Sequence, residues 1–438
     1  MAAPSRRSFL IQSSTLLAGA GLATIPVTQT QAEPAAGKIN IALIGCKNMG
    51  WANLTSILKL PDVECLALCD VDDSVLNSRA AELEKKTGKK VALYKDFRKL
   101  LERKDIQAVI IGTPDHWHAL QTMYACEAGK DVYVEKPLAN SIEECLAMVA
   151  AARKYNRVVQ VGQWQRSGPH FDEALTYATS GKLGKIRTVK AWAYMGYGKE
   201  FPPVPDEPVP AGVDYKMWLG PAPDRPFNKN RFHGSFRYFW DYAGGLMTDW
   251  GVHMIDMGLK GMKVSTPKSV QSLGGKLGFP EHADETPDTM QTVYEFDGFT
   301  LLWEQAKGIA RGPYDRDHGV AFIGNLGTMV ADRSKWEVFP EVENGKYLTD
   351  MMPPHPVQGN TLDLHTKNFV DCIKSRQKPN GDVEIGAHTA ICAQLGNISH
   401  RLGRKIFWDS AKNVIVNDPK AEEMAKAHYH NGWQLPKV

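Results

Sequence analysis

Between Lys38 and Val161 the chain alternates short apolar runs with segments of helical character, and that alternation leaves few folds open to it. Ile39–Ile44, Val63–Cys69, Val91–Tyr94, Ala108–Ile111, the run starting at Asp131 and Val158–Val161 have the length and the β-branched or aromatic content of strands. Helical segments fall between them: one through Leu54 to Leu60, then Ser74–Lys86, His116–Ala128 and Ser141–Tyr155. Ser141 with Glu144 three residues on is a capping box, which fixes where the last of these begins. Strands and helices in strict alternation build a doubly wound parallel sheet, an α/β fold, over residues 38–164. Ligands of such sheets lie at the C-terminal ends of the strands.

A chain of 438 residues exceeds the roughly 250–300 at which a single core stops growing, so a second domain is expected over residues 165–438. There the pattern changes. Lys185–Tyr194, Val270–Gly274, Met290–Phe296, Thr300–Glu304, Gly319–Ile323 and Thr328–Ala331 read as strands joined mostly by short turns, which favours an open, mainly antiparallel sheet in an α+β domain. Phe201–Pro210 is too rich in proline for helix or central strand and reads as a stiff surface loop. Leu362–Gly403 is helical again.

Residues 1–33 have a different character. Arg6-Arg7, a mildly apolar run from Leu16 to Ile25 and the small residues before a cleavage point near Ala32 have the order of a twin-arginine signal peptide, so a periplasmic or otherwise exported protein is expected. No later run reaches the roughly 20 apolar residues of a membrane span. A net charge of +3 offers no field for nucleic acid. The seven cysteines contain no C-x-x-C and sit mostly in apolar runs, as buried free thiols do, and no metal site is expected.

Three stretches carry chemistry. Gly45-Cys46-Lys47-Asn48-Met49-Gly50 follows the first strand and opens a helix, where a pyrophosphate sits on the helix N-terminus. Lys47 stands where the fingerprint has its second glycine, and its side chain either crowds the pyrophosphate or helps bind it. Asp70 ends the second strand where an acidic residue meets the ribose hydroxyls, and Asp70-Val71-Asp72 would repel a 2′-phosphate, so NAD(H) is expected over NADP(H). Lys136, in Val134-Glu135-Lys136-Pro137, comes where the fifth strand ends and Pro137 stops its ladder. Asp249 and His253 stand four apart, so on a helix they share a face.

The Thr113-Pro114-Asp115-His116-Trp117-His118 turn, Glu135-Lys136-Pro137, Gly181-Lys182-Leu183-Gly184 and Gly244-Gly245 followed by Asp249 and His253 together resemble the Gfo/Idh/MocA family of glucose–fructose oxidoreductase and inositol dehydrogenase, over roughly residues 38 to 400. The resemblance implies a Rossmann domain whose NAD(H) meets Gly45, Lys47, Asn48, Met49, Gly50, Asp70, Thr113, Pro114, His118, Glu135 and Lys136. It implies that Lys136 meets the reacting hydroxyl with Glu135 orienting it, that Asp249 binds substrate, and that His253 is the general acid/base. Pro114, His118 and Pro137 are placed around the nicotinamide. Aromatic and polar density suggests sugar contacts at Arg166, His170, Tyr194, Arg237, Trp240 and Tyr242.

The expectation is therefore an exported oxidoreductase with tightly bound NAD, acting by hydride transfer on a hydroxyl of a sugar, glycoside or cyclitol, and forming a homo-oligomer, dimer or tetramer. An NAD-dependent glycoside hydrolase running a redox-neutral oxidation, elimination and reduction cycle is the alternative. A sugar-binding protein without catalysis is a third.

Overall fold

The computed structural model describes residues 37–438, so the leader expected over residues 1–33 lies outside the described residues. Six strands and five helices alternate first: β1 (Ile39–Ile44), α1 (Asn48–Ile57), β2 (Val63–Cys69), α2 (Asp73–Thr87), β3 (Ala92–Tyr94), α3 (Phe97–Leu101), β4 (Ala108–Ile111), α4 (Asp115–Glu127), β5 (Asp131–Val134), α5 (Ile142–Lys154) and β6 (Val159–Val161). They form one parallel sheet in the order β3-β2-β1-β4-β5-β6. β1 and β4 are buried almost throughout, as their unbroken apolar sequences require of strands covered on both faces. The order reverses between β1 and β4, and that switch point opens the crevice described below.

Sequence and structure differ here in small ways with physical causes. The first helix ends at Ile57, three residues earlier than expected, and α3 was not expected because five residues are too few to show a helical period. The Ser141 side chain accepts from the Glu144 N–H at 3.2 Å. Glu144 completes the cap one residue early, accepting from the Asn140 N–H at 3.1 Å and also from the Tyr429 hydroxyl at 2.7 Å.

The second sheet grows from α6 (Pro169–Ala178), β7 (Ile186–Met195), α7 (Tyr215–Leu219), α8 (Val252–Met262), β8 (Ser269–Gly275), β9 (Thr289–Phe296), β10 (Phe299–Lys307), β11 (His318–Gly324), β12 (Gly327–Ala331), β13 (Lys335–Pro340), β14 (Val342–Glu343), β15 (Lys346–Tyr347), β16 (Met352–Pro356), α9 (Thr361–Ser375), α10 (Val383–Leu402), β17 (Ile406–Asp409), β18 (Val414–Ile415) and α11 (Pro419–Ala425). Its ten strands run β16-β13-β12-β11-β7-β10-β9-β8-β17-β18. Neighbours are antiparallel except β7 and β10, which pair in parallel from Thr188 opposite Thr300. A parallel partner needs a long crossover, and the excursion between β7 and β10 supplies it. Strict alternation of buried and exposed residues along β9 leaves one face of the sheet open.

The C-terminal helices tie the halves together. Ser56 of α1 and Lys59 just beyond its end both donate to the Asp363 carboxylate of α9, and Phe369 lies edge-on to Tyr133 of β5 with ring centroids 5.8 Å apart. Residues Lys38–Val438 accordingly cluster as one unit. All seven cysteines are buried free thiols, and no helix among the described residues is long and apolar enough to cross a membrane.

Candidate active site

A cleft of about 1030 Å³ runs along the C-terminal ends of β1, β2, β4 and β5. Gly45, Lys47, Asn48, Met49, Asp70, Thr113, Pro114, Glu135 and Lys136 line it, nine of the eleven residues expected to meet the cofactor. Gly45 has φ +86°, and a Cβ there would lie 2.7 Å from the Gly112–Thr113 backbone, so the turn closes only around a glycine. The Lys47 side chain is exposed and leaves the turn unplugged. The Asp70 carboxylate accepts from the Cys46 N–H at 2.7 Å and the Asp72 N–H at 3.0 Å; burial raises its pKa, and these bonds oppose the rise. The open turn, the glycine-closed approach and the carboxylate at the tip of β2 fit a dinucleotide.

Two of the eleven stand back from the cleft. Gly50 is buried where α1 crosses the sheet, and its missing Cβ would lie 2.1 Å from the Gly45 carbonyl oxygen, so its role is close packing. His118 is buried with Nδ1 2.7 Å from the Pro137 carbonyl oxygen and Nε2 2.9 Å from that of Thr113. It fastens the Thr113-Pro114 turn to the turn after β5, and burial depresses its pKa to about 4.

A segment of the C-terminal half roofs the cleft, which the sequence did not reveal. Met217, Trp218, His233, Gly234 and Arg237 join its lining. Bonds that hold the roof include His233 Nε2 to Asp72 at 3.0 Å, Asp214 N–H to the Val71 carbonyl at 2.9 Å, Asp73 N–H to the Gly212 carbonyl at 3.1 Å, and His116 Nε2 and Trp117 Nε1 to the Trp218 carbonyl, each at 3.0 Å.

At the Lys136 end the two halves meet. The Lys136 ammonium donates to an Asp249 carboxylate oxygen and, at 3.1 Å, to the Asp249 carbonyl. The expectation that Glu135 orients this ammonium is corrected: Glu135 accepts from the Lys136 backbone N–H at 3.1 Å and from Asn53 at 2.7 Å, so it fixes the turn while Asp249 holds the charge. Arg237 approaches the other Asp249 oxygen at 3.3 Å. Burial pushes the Asp249 pKa up, but the charges of Lys136 and Arg237 overcome it and hold the carboxyl at about 2. Burial lifts Asp115, at the start of α4, to about 7 against the pull of Arg237 and Lys136.

Asp249 lies on a π-helical turn, Met247–Gly251, that runs into α8, and His253 follows in the first turn of α8. The His253 Nδ1 is buried with no hydrogen-bond partner among the described residues. Burial, then the charges of Arg333 and Lys136, hold this imidazole well below its usual pKa. Trp164 and Trp250 face it edge-on, with ring centroids 6.3 and 5.9 Å from its own.

Of the aromatic and polar guesses, only Arg237 lines the cleft. Arg166 makes a two-pronged bond to Asp256, His170 bonds the Asp332 carbonyl at 3.0 Å, and Tyr194 reaches Glu304 at 3.4 Å. Trp240 donates to the Glu285 carbonyl and carries Arg401 on its face, while Tyr242 is buried against Trp218. A preference for rings beside charges could not separate these from Trp164, Trp250 and Arg333, which surround His253. Among the described residues no group of His, Cys, Asp or Glu is arranged for a metal ion.

Comparison with known proteins agrees with this architecture. The family model described as the oxidoreductase family's NAD-binding Rossmann fold matches residues 39–163, and its C-terminal alpha/beta domain matches 178–272 and 307–435. The uncharacterized oxidoreductase YrbE of Bacillus subtilis (strain 168) is 24% identical over 303 residues, covering 68% of this chain and 75% of that protein. A glycosyl hydrolase family 109 protein of Shewanella baltica (strain OS155) is 31% identical over 169 residues, 34% of this chain and 37% of that one. The structure of levoglucosan dehydrogenase in complex with NADH and levoglucosan superposes with a TM-score of 0.63 at 20% identity, covering 87% of this chain and 100% of that one. With both family domains matched in order, and with a nucleotide cleft at the switch point of the first, the chain belongs to the Gfo/Idh/MocA oxidoreductase family and is an NAD-binding enzyme.

Proposed function

We propose that the protein is an exported oxidoreductase that removes hydride from a hydroxyl of a sugar, glycoside or cyclitol and keeps its NAD tightly bound. The observation that carries this reading is the meeting of Lys136 with Asp249 beside His253, at one end of the nucleotide cleft. NAD supplies the hydride acceptor when bound. The Gly45–Met49 turn, Asp70, Thr113 and Pro114 hold it, and the roof over the cleft, pinned by His233 on Asp72, slows its release.

A hydroxyl that loses hydride must also lose its proton. The Lys136 ammonium stabilises the oxygen as negative charge develops on it, and Asp249 holds that ammonium in place. His253, neutral at neutral pH, takes the proton. Export through the twin-arginine leader of residues 1–33 fits such retention, because a protein outside the cytoplasm cannot recruit fresh cofactor. The open face of the second sheet is the proposed site of self-association.

The 31% identity to the family 109 glycosyl hydrolase supports a second reading, a glycosidase that oxidises, eliminates and reduces in one cycle. One experiment separates the two. Protein purified from its native compartment is denatured and the released nucleotide assayed; absorbance near 340 nm is then followed with a glycoside panel. Reduced cofactor or a keto sugar supports the oxidoreductase, hydrolysis without net reduction supports the glycosidase, and absence of nucleotide rejects both.

A further inference from the structure

Arg333 lies in the turn between β12 and β13 and has the most unusual charge environment near the site. Its guanidinium is sandwiched between the rings of Trp164 and Trp250, 4.4 Å from each centroid. Its Nε is buried without a hydrogen-bond partner among the described residues, and no carboxylate among them comes within 4.0 Å of the group. The other buried arginines near the site are each paired with a carboxylate, Arg166 with Asp256, Arg316 with Asp332 and Glu337, and Arg237 with Asp249, although the Arg316 Nε too lacks a partner among the described residues. A guanidinium with its Nε cut off from water, two ring faces against it and no carboxylate bonded to it keeps its terminal donor edge for something else.

The surroundings fix where that edge is useful. Both tryptophans that clamp Arg333 also face His253. Trp250 is itself held by a 2.9 Å bond from its Nε1 to the Tyr197 hydroxyl, and His170 grips the carbonyl of Asp332, the residue before Arg333. The clamp is therefore built, not incidental. Lys136, Arg237 and Arg333 bring three cations to this region; Asp249 pairs directly with the first two, while Arg333 feels Asp249, Asp317 and Glu135 only from beyond 4.0 Å. A neutral sugar would leave the third without a directly bonded counter-charge.

We propose that the substrate carries a carboxylate, as a hexuronic acid or its glycoside does, and that Arg333 receives it while Lys136 and His253 act on a hydroxyl of the same ring. This rests on the proposed oxidoreductase reading and names its substrate class. A planar carboxylate matches the two-donor edge of a guanidinium whose faces are already occupied. Burial pushes the Arg333 pKa down to about 10 with only distant carboxylates opposing it, which a bound anion would relieve.

The test uses the NAD-loaded full-length protein. Binding of the methyl glycosides of glucuronic, galacturonic and mannuronic acid is compared with that of the parent neutral glycosides, by calorimetry and by the tryptophan fluorescence of the clamp. At least one uronide is expected to bind about 30-fold or more tightly than its neutral parent, with a preference that falls as salt rises. Arg333→Met should abolish that preference, bringing the uronide's affinity to that of its neutral parent. Arg333→Lys, which keeps a cation between the indoles, should retain part of it. Equal or tighter binding of the neutral glycosides, or a uronide preference that survives Arg333→Met, overturns the assignment while leaving the oxidoreductase reading intact. Tighter binding of a glycoside 6-phosphate than of any uronide overturns the carboxylate in favour of a phosphate. If neither set binds, the carboxylate assignment falls, and the nucleotide-release assay decides the oxidoreductase reading separately.

Discussion

The Lys136 ammonium and the Asp249 carboxylate, 113 positions apart in the chain, form an ion pair with side chains only 10% and 13% exposed. Each comes from a different sheet's territory, Lys136 from the end of β5 and Asp249 from the π-helical turn before α8. The pair thus places the group that stabilises an oxyanion where the first domain's cleft meets the second domain's helix. Arg237 on the other carboxylate oxygen helps keep Asp249 ionised, and the ammonium has one proton left to share with a substrate.

Replacing Lys136 with Met should lower kcat by about 10²–10³-fold, the usual worth of a positioned donor to a developing oxyanion. NAD content after purification should stay near that of the unaltered protein, since the turn at Gly45 and Asp70 is untouched. Stopped-flow turnover and nucleotide assay on the same sample check both halves.

Asp249 makes a prediction about acid stability. Its folded pKa lies near 2, below the unfolded value of about 3.9, so its stabilisation is present above pH 4 and is lost as the pH falls from about 4 towards 2. The difference in Tm between the unaltered protein and Asp249→Asn should shrink across that window. Calorimetric scans at pH 6, 4 and 3 measure it.

Asp115 behaves in the opposite sense. Its folded pKa of about 7 is above the unfolded value, so folding takes up a proton between pH 4 and 7 and this group's contribution to stability falls as pH rises through that range. Asp115→Asn should raise Tm by about 2 °C or more at pH 8 and by less at pH 4. Because the carboxyl lines the cleft beside Arg237 and Lys136, the variant should also remove an inflection near pH 7 from the kcat/KM profile.

The glycine turn predicts two contrasting outcomes. Gly50→Ala puts a Cβ 2.1 Å from the Gly45 carbonyl oxygen, so a loss of about 3 kcal/mol in stability and of bound NAD is expected. Lys47→Ala removes only an exposed side chain and should change NAD affinity by about 5-fold at most, the scale of one solvated charge. Urea unfolding and nucleotide titration distinguish them.

His233→Ala should free one end of the roof. Dissociation of NAD is expected to quicken by about tenfold, the worth of one hydrogen bond to a charged acceptor. The rate is read by trapping released nucleotide with a coupled dehydrogenase.

The first domain was legible because parallel strands covered on both faces must be apolar along their length, so Ile39–Ile44 and Ala108–Ile111 announce themselves. The same holds for the turn residues whose backbone geometry has one solution, as at Gly45. Trp240 and Trp250 show where that legibility stops. Both are tryptophans among charged residues in one stretch, yet one stacks on Arg401 and the other stacks on Arg333 and faces His253. Composition is blind to that difference.

What the sequence determined by itself was the order of strands and helices and the nucleotide turn, because each follows from local backbone preference, while Lys136, Asp249 and His253 became candidates through the resemblance of their motifs to a family. The tertiary structure alone decided that Asp249 rather than Glu135 holds the lysine, that residues of the C-terminal half roof the cleft, and that Arg333 stands between two indoles without an anion. These are encounters between residues more than 80 positions apart, and no periodicity records which distant side chains will share a crevice once two sheets have packed together.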